Sequence, residues 1–227
     1  MSQLGVLTIG QSPRQDIQPI LGKYLPAGTT LVQKGALDGF SKKQIKDRLS
    51  PANINKSTNY LLTSRLTNGD YVSMDRVKLQ PLVQQKIDEF ENEHIKLILL
   101  LCTGVFPELK SRTAHIIEPD RVIPLIVHSL IGNKKLGVIV PLSEQQALND
   151  DKFSKKGLKP IFSFASPYKH EEDEFIYAAL SLKGKVDYIL MDCMGYNEQM
   201  RHMIAQLSCV PTILSNALMA KMISEFI

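Results

Sequence analysis

The sequence predicts an α/β protein with mainly parallel sheets. Short apolar runs of strand length alternate along the chain with longer segments of helical periodicity, the pattern of βα units. The chain also resembles itself: Ile95–Gly104 aligns with Val186–Gly195, an offset of 186 − 95 = 91 residues, and both runs end in Cys-x-Gly. Leu4–Leu7 aligns in the same way with Leu136–Ile139. Because the two matches occur in the same order, we expect a duplicated βα lobe.

The composition of the 227 residues is that of an ordinary globular protein, with 44% hydrophobic and 22% charged residues. The formal net charge of +4 and the absence of Trp argue against a nucleic-acid partner. No apolar run approaches the roughly 18 to 20 residues of a membrane span, and the first residues lack the pattern of a secretory signal. Three widely spaced cysteines do not form a disulfide framework. We therefore expect a cytoplasmic protein with free thiols and no membrane partner.

Most of the predicted strands are short apolar runs between turn residues. Ile95–Leu101 is apolar throughout, as in a strand buried on both faces. Asn68-Gly69 separates two strand-like runs and predicts a hairpin with a tight type I′ turn. The predicted strands are Leu4–Ile9, Thr29–Lys34, Tyr60–Leu66, Tyr71–Met74, Ile95–Leu101, Leu136–Pro141, Pro160–Phe164, Val186–Met191 and Val210–Leu214.

The predicted helices lie between the strands and carry their apolar residues on one stripe. The first is expected to begin at Ser12, with Pro13 in its first helical position. Another is expected to be capped by Asp120 and to stop at Gly132. The remaining predicted helices are Lys78–Glu93, Asp173–Leu182 and Asn216–Phe226.

The two halves differ in length. From the first strand to the cysteine, the N-terminal half uses 102 − 5 = 97 residues and the other half 193 − 137 = 56, a difference of 41. The segment around the Asn68-Gly69 hairpin is about that long. We therefore interpret residues 56–78, approximately, as an insertion.

Cys102 and Cys193 each close a predicted buried strand. Open parallel sheets bind ligands beyond the carboxyl ends of their strands, and Gly104 and Gly195 would let the backbone approach an anion closely. Two thiols facing one molecule from opposite sides suit proton removal and delivery at carbon, provided that a helix N-terminus lowers a thiol pKa. The alternative is that both cysteines are only buried core. Cys209 has no such context and is expected to be a packed core residue.

Polar residues near these strand ends are further candidates. Arg14 follows the first strand and either holds a carboxylate bidentately or forms a surface ion pair. The alternative role of Ser12 is to cap a helix, and the alternative for Asp16 is a solvent-exposed position in the first helical turn. Asp192 precedes Cys193, and on an ideal strand its side chain would point to the opposite face.

The sequence lacks the motifs of redox, zinc-binding, phosphatase and nucleotide-binding sites. There is no Cys-x-x-Cys, and Glu108 and Gln199 stand where a phosphatase-type loop would need Arg, six residues after each cysteine. Glycine-rich nucleotide motifs are absent, and the five histidines show no ligand spacing. We expect no cofactor and no metal.

The sequence resembles the AroM family in five motifs that extend over nearly the whole chain: Thr8–Asp16, Ala36–Gly39, Leu100–Phe106, Leu136–Pro141 and Met191–Tyr196. That family is similar in turn to the aspartate/glutamate/hydantoin racemase superfamily. The resemblance implies two pseudo-symmetric α/β lobes, each with a mainly parallel sheet flanked by helices, with a cleft between them and one cysteine at a strand end in each. It implies a first lobe of residues 1–105, completed by residues 210–227, and a second lobe of residues 106–209.

The resemblance is incomplete at the cysteines. Typical racemases of the superfamily carry Cys-Asn-Thr and Cys-Thr-His, whereas this chain has Cys102-Thr103-Gly104 and Cys193-Met194-Gly195. Both bases are kept while the groups that hold the substrate carboxylate are changed. This pattern implies a substrate or reaction other than amino-acid racemisation; relatives on this scaffold include isomerases and decarboxylases of small dicarboxylates.

The function predicted from these residues is that of a cofactor-independent isomerase-like enzyme acting on a small carboxylate-containing molecule. Its acid and base would be Cys102 and Cys193. The residues expected to contact the substrate are Ser12, Arg14, Thr103, Gly104, Met194 and Gly195. The alternative is a non-catalytic small-molecule binder or sensor on the same scaffold, which the changed carboxylate-binding residues favour. A homodimer is expected by analogy with the scaffold only.

Overall fold

The computed structural model describes residues 2–51, 61–169 and 171–227, and the side chains of residues 147–150 are also left undescribed. Within these ranges the strands are β1 (Gln3–Thr8), β2 (Thr30–Gly35), β3 (Leu61–Arg65), β4 (Tyr71–Asp75), β5 (Leu97–Leu101), β6 (His115–Ile117), β7 (Leu136–Val140), β8 (Ile161–Phe164), β9 (Tyr188–Met191) and β10 (Thr212–Leu214). The α-helices are α1 (Gln18–Tyr24), α2 (Lys42–Leu49), α3 (Arg76–Asn92), α4 (Pro119–Ile131), α5 (Gln145–Ser154), α6 (Glu172–Leu182), α7 (Glu198–Ser208) and α8 (Ser215–Ile223).

Two parallel four-stranded sheets form the framework, which confirms the predicted α/β fold with two lobes. The first has the strand order β2-β1-β5-β6 and the second the order β8-β7-β9-β10. In each sheet the strand that comes first in the chain, β1 or β7, is internal. The second strand in chain order lies on one side of it, and the third and fourth lie on the other. The two sheets therefore have the same topology, as duplication predicts.

The strand register reproduces the offset found in the sequence. Gly5 pairs with Ile98 in the first sheet, and Gly137 pairs with Ile189 in the second; 189 − 98 is again 91. A Cβ on Gly5 would lie 3.0–3.2 Å from Ile95 and Phe90, and one on Gly137 would lie 3.0–3.3 Å from Val186 and Leu182. Each glycine therefore lets the helix that precedes the neighbouring strand, α3 before β5 and α6 before β9, pack closely on its central strand.

The largest apolar cluster joins the two lobes. It contains Leu4 and Leu99 from the first sheet together with Val138 and Leu190 from the second, and it also includes residues of α1, α4 and α8. The opposite faces of the strands pack in separate clusters, one for each sheet. Burial on both faces explains the continuous apolar run of β5, as expected for a central parallel strand.

Two short strands lie in sheets that the sequence did not indicate. β6 follows residue 105 yet pairs with β5 in the first sheet, while β10 pairs with β9 in the second sheet. The helix after β10, α8, packs against α1 of the first lobe. The expected lobe boundaries therefore differ from the sheets at these two strands, because a strand's position in the chain does not identify the parallel strand beside it.

The predicted hairpin is confirmed, with β3 and β4 paired antiparallel outside both large sheets. Its turn differs from the predicted type I′: the Leu66 N–H donates to the Asp70 carbonyl, and only Gly69 of the three loop residues has a positive φ, +91°. This is a type I turn followed by a left-handed glycine. Tyr60 and residues 56–59 of the expected insertion lie outside the described residues.

Local capping accounts for the other differences. α1 begins at Gln18 rather than at Ser12, whose hydroxyl donates to Asp38 instead of capping a helix. The residue before α4 is Glu118, so Asp120 lies inside the first turn. The prediction that Cys209 is packed in the core is wrong: it is exposed, because it ends α7 in the left-handed conformation, φ +60°, where the chain turns outward.

Candidate functional site

Cys102 and Cys193 line the same cavity at the carboxyl ends of β5 and β9. Both thiols belong to buried residues, 7% and 8% exposed, and the cavity has a volume of about 30 Å³. The cavity is therefore small, and it is partly open to solvent. The described residues that line it are Ile9, Arg14, Leu62, Thr63, Ser64, Leu101, Cys102, Thr103, Gly104, Pro141, Gln145, Tyr168, Asp192, Cys193 and Met194.

Most of the expected site residues are brought together there. Arg14, Thr103, Gly104 and Met194 line the cavity beside the two cysteines. Ser12 and Gly195 are described residues that are not among those lining it. Gly195 nevertheless donates to Cys193, which lines the cavity, whereas Ser12 bonds to Asp38, which does not.

The Cys-x-Gly motif has the same local geometry in both lobes. The Gly104 N–H donates to the Sγ of Cys102 over 3.2 Å, and the Gly195 N–H donates to the Sγ of Cys193 over 3.4 Å. A Cβ at Gly104 would lie 2.5 Å from Cδ2 of Leu62, and one at Gly195 would lie 2.5 Å from Oη of Tyr168. Glycine is therefore needed at each position because the side chain facing it leaves no room.

Burial raises the pKa of both thiols. For Cys102 it raises the pKa to about 12, against the opposing effects of the Gly104 N–H and the Lys152 ammonium. For Cys193 burial also raises the pKa, opposed by the Gly195 N–H, the Tyr168 hydroxyl and Arg14. The expected lowering by a helix N-terminus is absent, since the next helices begin only at Pro119 and Glu198.

Arg14 is a buried cation at the edge of the cavity, 4% exposed. Its Nε and Nη2 donate to the two oxygens of Asp16, each over 2.8 Å, and its Nη1 donates to the Thr8 hydroxyl over 3.3 Å. Burial opposes its charge, but the Asp16 hydrogen bond and carboxylate raise the pKa of Arg14 above its ordinary value. A guanidinium has five N–H groups, so these three bonds leave two for a ligand.

The polar residues of the first two family motifs hold the loop that carries Arg14. Asp38 accepts from the N–H and the hydroxyl of Ser12, both over 2.7 Å, and from the Gly35 N–H. The Gln11 amide donates to the Phe40 carbonyl and accepts from the Thr67 N–H of the hairpin. Ser12 therefore fixes the backbone beside Arg14 through Asp38.

Tyr168 is a cavity residue that the sequence analysis missed. Its hydroxyl lies 3.6 Å from the Sγ of Cys193, and its ring is stacked on Tyr71 at 6.5 Å. It follows β8, the counterpart of β2, whose own following loop contains Asp38. The duplication of the two lobes was therefore the sequence signal from which this loop could have been identified.

The hairpin forms the roof of the cavity, which sequence reasoning also missed. Leu62, Thr63 and Ser64 line the cavity from β3. The side-chain amide of Gln145 in the second lobe donates to the Leu61 carbonyl over 2.8 Å. Together with the Tyr71–Tyr168 stack, this bond fastens the roof to the second lobe.

A buried ion pair lies between the two cysteine loops. The Lys152 ammonium donates to Oδ2 of Asp192 over 2.6 Å and to the Thr103 carbonyl over 2.9 Å, with both charged side chains at most 2% exposed. Burial raises the pKa of Asp192, while Lys152 opposes that change. Asp192 lines the cavity, and its carboxylate is held by Lys152. Because β9 ends at Met191, the alternation of an ideal strand does not apply at Asp192.

The family model described as "AroM protein" matches residues 4–227. The chain belongs to the AroM family. None of the curated proteins with which the sequence was compared matches it.

Solved structures share the fold over almost the whole chain. The aspartate racemase of Picrophilus torridus has a TM-score of 0.64 at 9% identity, covering 99% of this chain and 95% of its own. The maleate cis-trans isomerase of Nocardia farcinica bound to Tris has a TM-score of 0.64 at 10% identity, with 99% and 92% covered. The allantoin racemase from Klebsiella pneumoniae has a TM-score of 0.61 at 9% identity, with 100% and 87% covered. At such low identity these similarities establish the two-lobe racemase fold.

None of the described helices qualifies as a membrane-spanning segment. In the same parts of the chain, no three His, Cys, Asp or Glu side chains are grouped as a metal site would require.

Proposed function

We propose that the chain is a cofactor-independent isomerase that moves a proton at a carbon atom of a small carboxylate, with Cys102 and Cys193 as acid and base. The observation that carries the proposal is that two thiols from equivalent strand ends line one small cavity with a buried arginine. The structural neighbours are named as two racemases and an isomerase, which supports the same class of reaction.

Arg14 is the group proposed to hold the substrate. Its two remaining N–H groups are suited to a carboxylate, because charge-assisted bonds from a guanidinium are short and directional. It is the only cationic side chain among the described residues lining the cavity. One cation and a small volume favour a substrate with a single carboxylate near the reacting carbon. The hydroxyl of Ser64, which lines the same cavity, is proposed to contact its other polar groups.

The proposed step transfers protons on the two faces of that carbon. A thiolate takes the proton, so that a C–H bond breaks and an S–H bond forms. The opposite thiol gives its proton to the other face, so that an S–H bond breaks and a C–H bond forms. The two sulfurs exchange protonation states, and the electron pair of the carbanion is stabilised by the carboxylate beside Arg14.

We propose that Cys193 carries the thiolate in the unliganded protein and acts as the base when the substrate binds. A thiolate there is stabilised by the Tyr168 hydroxyl, the Gly195 N–H and the charge of Arg14. Cys102, whose pKa is raised to about 12, keeps its proton at neutral pH and is the proposed proton donor. The reverse reaction uses the two groups in exchanged roles.

The test is exchange of the proton at the α-carbon in D₂O, followed by proton NMR over a panel of small carboxylates. The proteins compared are the wild type, Cys102→Ala, Cys193→Ala and the matched control Cys209→Ala, whose thiol is exposed outside the cavity. We expect exchange with the wild type and the control, and a loss of about 10²-fold or more in each of the other two. Equal exchange in all four proteins would refute the proposal.

A non-catalytic carboxylate binder is the second candidate, favoured by the raised pKa values of both thiols. A thiol with a pKa near 12 is almost entirely protonated at neutral pH. This candidate predicts no α-carbon exchange with any member of the panel. It also predicts a ligand-induced rise in melting temperature that persists in both cysteine variants and disappears in Arg14→Met.

A further inference from the structure

Lys152 bonds to the residues adjacent to both cysteines. It donates to the carbonyl of Thr103, which follows Cys102, and to the carboxylate of Asp192, which precedes Cys193. Lys152 itself comes from α5, whereas Thr103 and Asp192 follow strands of different sheets. One ammonium group therefore joins the carboxyl ends of the two sheets at the point where the thiols face the cavity.

A third bond completes the connection. The Thr103 hydroxyl donates to the backbone carbonyl of Asp192 over 3.0 Å. The ammonium, Thr103 and Asp192 thus form a closed ring of three hydrogen bonds between the lobes. Oδ1 of Asp192 is buried and has no hydrogen-bond partner among the described residues, and Asp192 lines the reaction cavity.

A buried ion pair of this kind is poorly explained as a stabilising device. Desolvation of two charges usually offsets their attraction, and apolar residues of similar size stabilise an interior at least as well. Its position argues for a different role, because each partner of the ammonium is the immediate neighbour of a cysteine. We infer that Lys152 is a positioning residue whose ammonium, paired with Asp192, holds the two cysteine loops opposite each other and sets the charge that each thiol experiences. This inference rests on the proposed function.

The charges that face the two thiols are different, which makes the inference testable at each sulfur. Cys102 faces the Lys152 ammonium, Asp120 of α4 and Cys193. Cys193 faces Arg14, Asp192 and the Tyr168 hydroxyl. Removal of Lys152 withdraws a stabilising charge from a Cys102 thiolate. Removal of the Asp192 charge withdraws a repulsion from a Cys193 thiolate.

The experiment measures alkylation of each cysteine by iodoacetamide in the unliganded full chain at a fixed pH between about 8 and 9, with peptide mapping by mass spectrometry. The readout is the ratio of the Cys193 rate to the Cys102 rate. Because both thiols line one cavity, changes in its opening affect both rates and cancel in this ratio. Exposed Cys209 is the internal reference for reagent and pH.

We expect the ratio to rise by at least about threefold in Lys152→Met, through slower reaction of Cys102, since each unit of thiol pKa changes the thiolate fraction tenfold. In Asp192→Asn we expect a rise of the same order through faster reaction of Cys193. Lys152→Met leaves a buried carboxylate without its partner. The double variant Lys152→Met/Asp192→Asn contains no unpaired buried charge from this pair and is expected to show the raised ratio as well.

A purely structural role predicts a different result. If the pair only keeps the lobes together, both cysteines react faster in the variants and the ratio stays within about twofold of wild type, which would overturn the inference. The measurement requires no substrate, so its outcome is independent of the α-carbon exchange experiment. A changed ratio without exchange in the wild type would contradict the proposed function but not the effect of Lys152 and Asp192 on the thiols.

Discussion

The hydroxyl of Tyr168 lies 3.6 Å from the Sγ of Cys193, a side-chain hydrogen bond that Cys102 does not have within the described residues. The backbone makes the same hydrogen bond to each thiol, because each sulfur accepts the N–H of the glycine two residues later. Side chains from outside the two Cys-x-Gly motifs therefore make the two sulfurs chemically different. Tyr168 and Arg14 act on Cys193, while Lys152 acts on Cys102.

Tyr168→Phe is expected to slow alkylation of Cys193 by about threefold to tenfold and to leave Cys102 unchanged. Loss of the hydroxyl removes a bond that lowers the pKa of Cys193, so its thiolate becomes scarcer. The phenyl ring still stacks on Tyr71, so we expect a loss of unfolding free energy of only about 1 kcal/mol. The matched control Tyr71→Phe keeps the stack and should change neither rate. An equal change at both cavity cysteines would contradict this prediction.

Asp38→Ala is expected to destabilise the protein by about 2 kcal/mol or more in urea denaturation. The carboxylate accepts three hydrogen bonds from Ser12 and Gly35, and these partly buried donors would lose their partner. Because the same loop carries Arg14, we also expect weaker protection by small carboxylates in thermal unfolding. Asp47→Ala, at an exposed position of α2, is the control and should stay within about 0.5 kcal/mol of wild type. Equal stability of the two variants would contradict the assigned role of Asp38.

Glu91 provides a prediction about pH. Its carboxylate accepts the Thr113 N–H, the Ser111 hydroxyl and the N–H groups of Ala114 and Arg112, which together hold the pKa of Glu91 far below its ordinary value. A lowered folded-state pKa contributes stability that is fully present above the unfolded-state pKa of about 4.3 and is lost as the pH falls below it.

Glu91→Gln is therefore expected to lower the urea midpoint at pH 7 and to differ progressively less from wild type as the pH is lowered from about 5 to 3. The loop that Glu91 holds leads into β6, so hydrogen exchange should be accelerated over residues 111–117 in the variant at neutral pH. A difference in midpoint that is the same at every pH would show that the charge of Glu91 is not the cause.

The two central glycines offer a test of duplication at the level of packing. Gly5→Ala and Gly137→Ala each place a methyl group 3.0 Å from side chains of the adjoining core, and we expect similar losses of about 1–3 kcal/mol. Gly22→Ala in α1 is the control, because nothing lies within 4 Å of its added methyl group. It should be neutral or stabilising by up to about 1 kcal/mol. Clearly unequal losses at Gly5 and Gly137 would show that the two lobes no longer pack in the same way.

The framework of the fold could be predicted because it depends on signals within single segments. Buried parallel strands are continuous apolar runs, and the 91-residue offset between Cys102 and Cys193 reappears in the strand register. The same signals led to the cysteines and to Arg14, since ligands bind beyond strand ends.

The remainder of the site depends on contacts between distant segments. Tyr168 reaches Cys193 across 25 positions, and Lys152 reaches Thr103 across 49. Sequence periodicity does not predict such long-range contacts, because loop residues follow no repeating pattern. The sheet positions of β6 and β10 could not be predicted for a related reason: a parallel strand is joined through a crossover, so chain order does not identify its neighbour.

The hairpin roof affects how a ligand enters the cavity. With Gln145 bonded to Leu61 and Tyr71 stacked on Tyr168, the hairpin narrows the cavity to about 30 Å³. We expect a carboxylate of several heavy atoms to enter when these two contacts open. In the proposed reaction, a hairpin that closed again would shield a carbanion from bulk solvent, and its proton would then come from a sulfur.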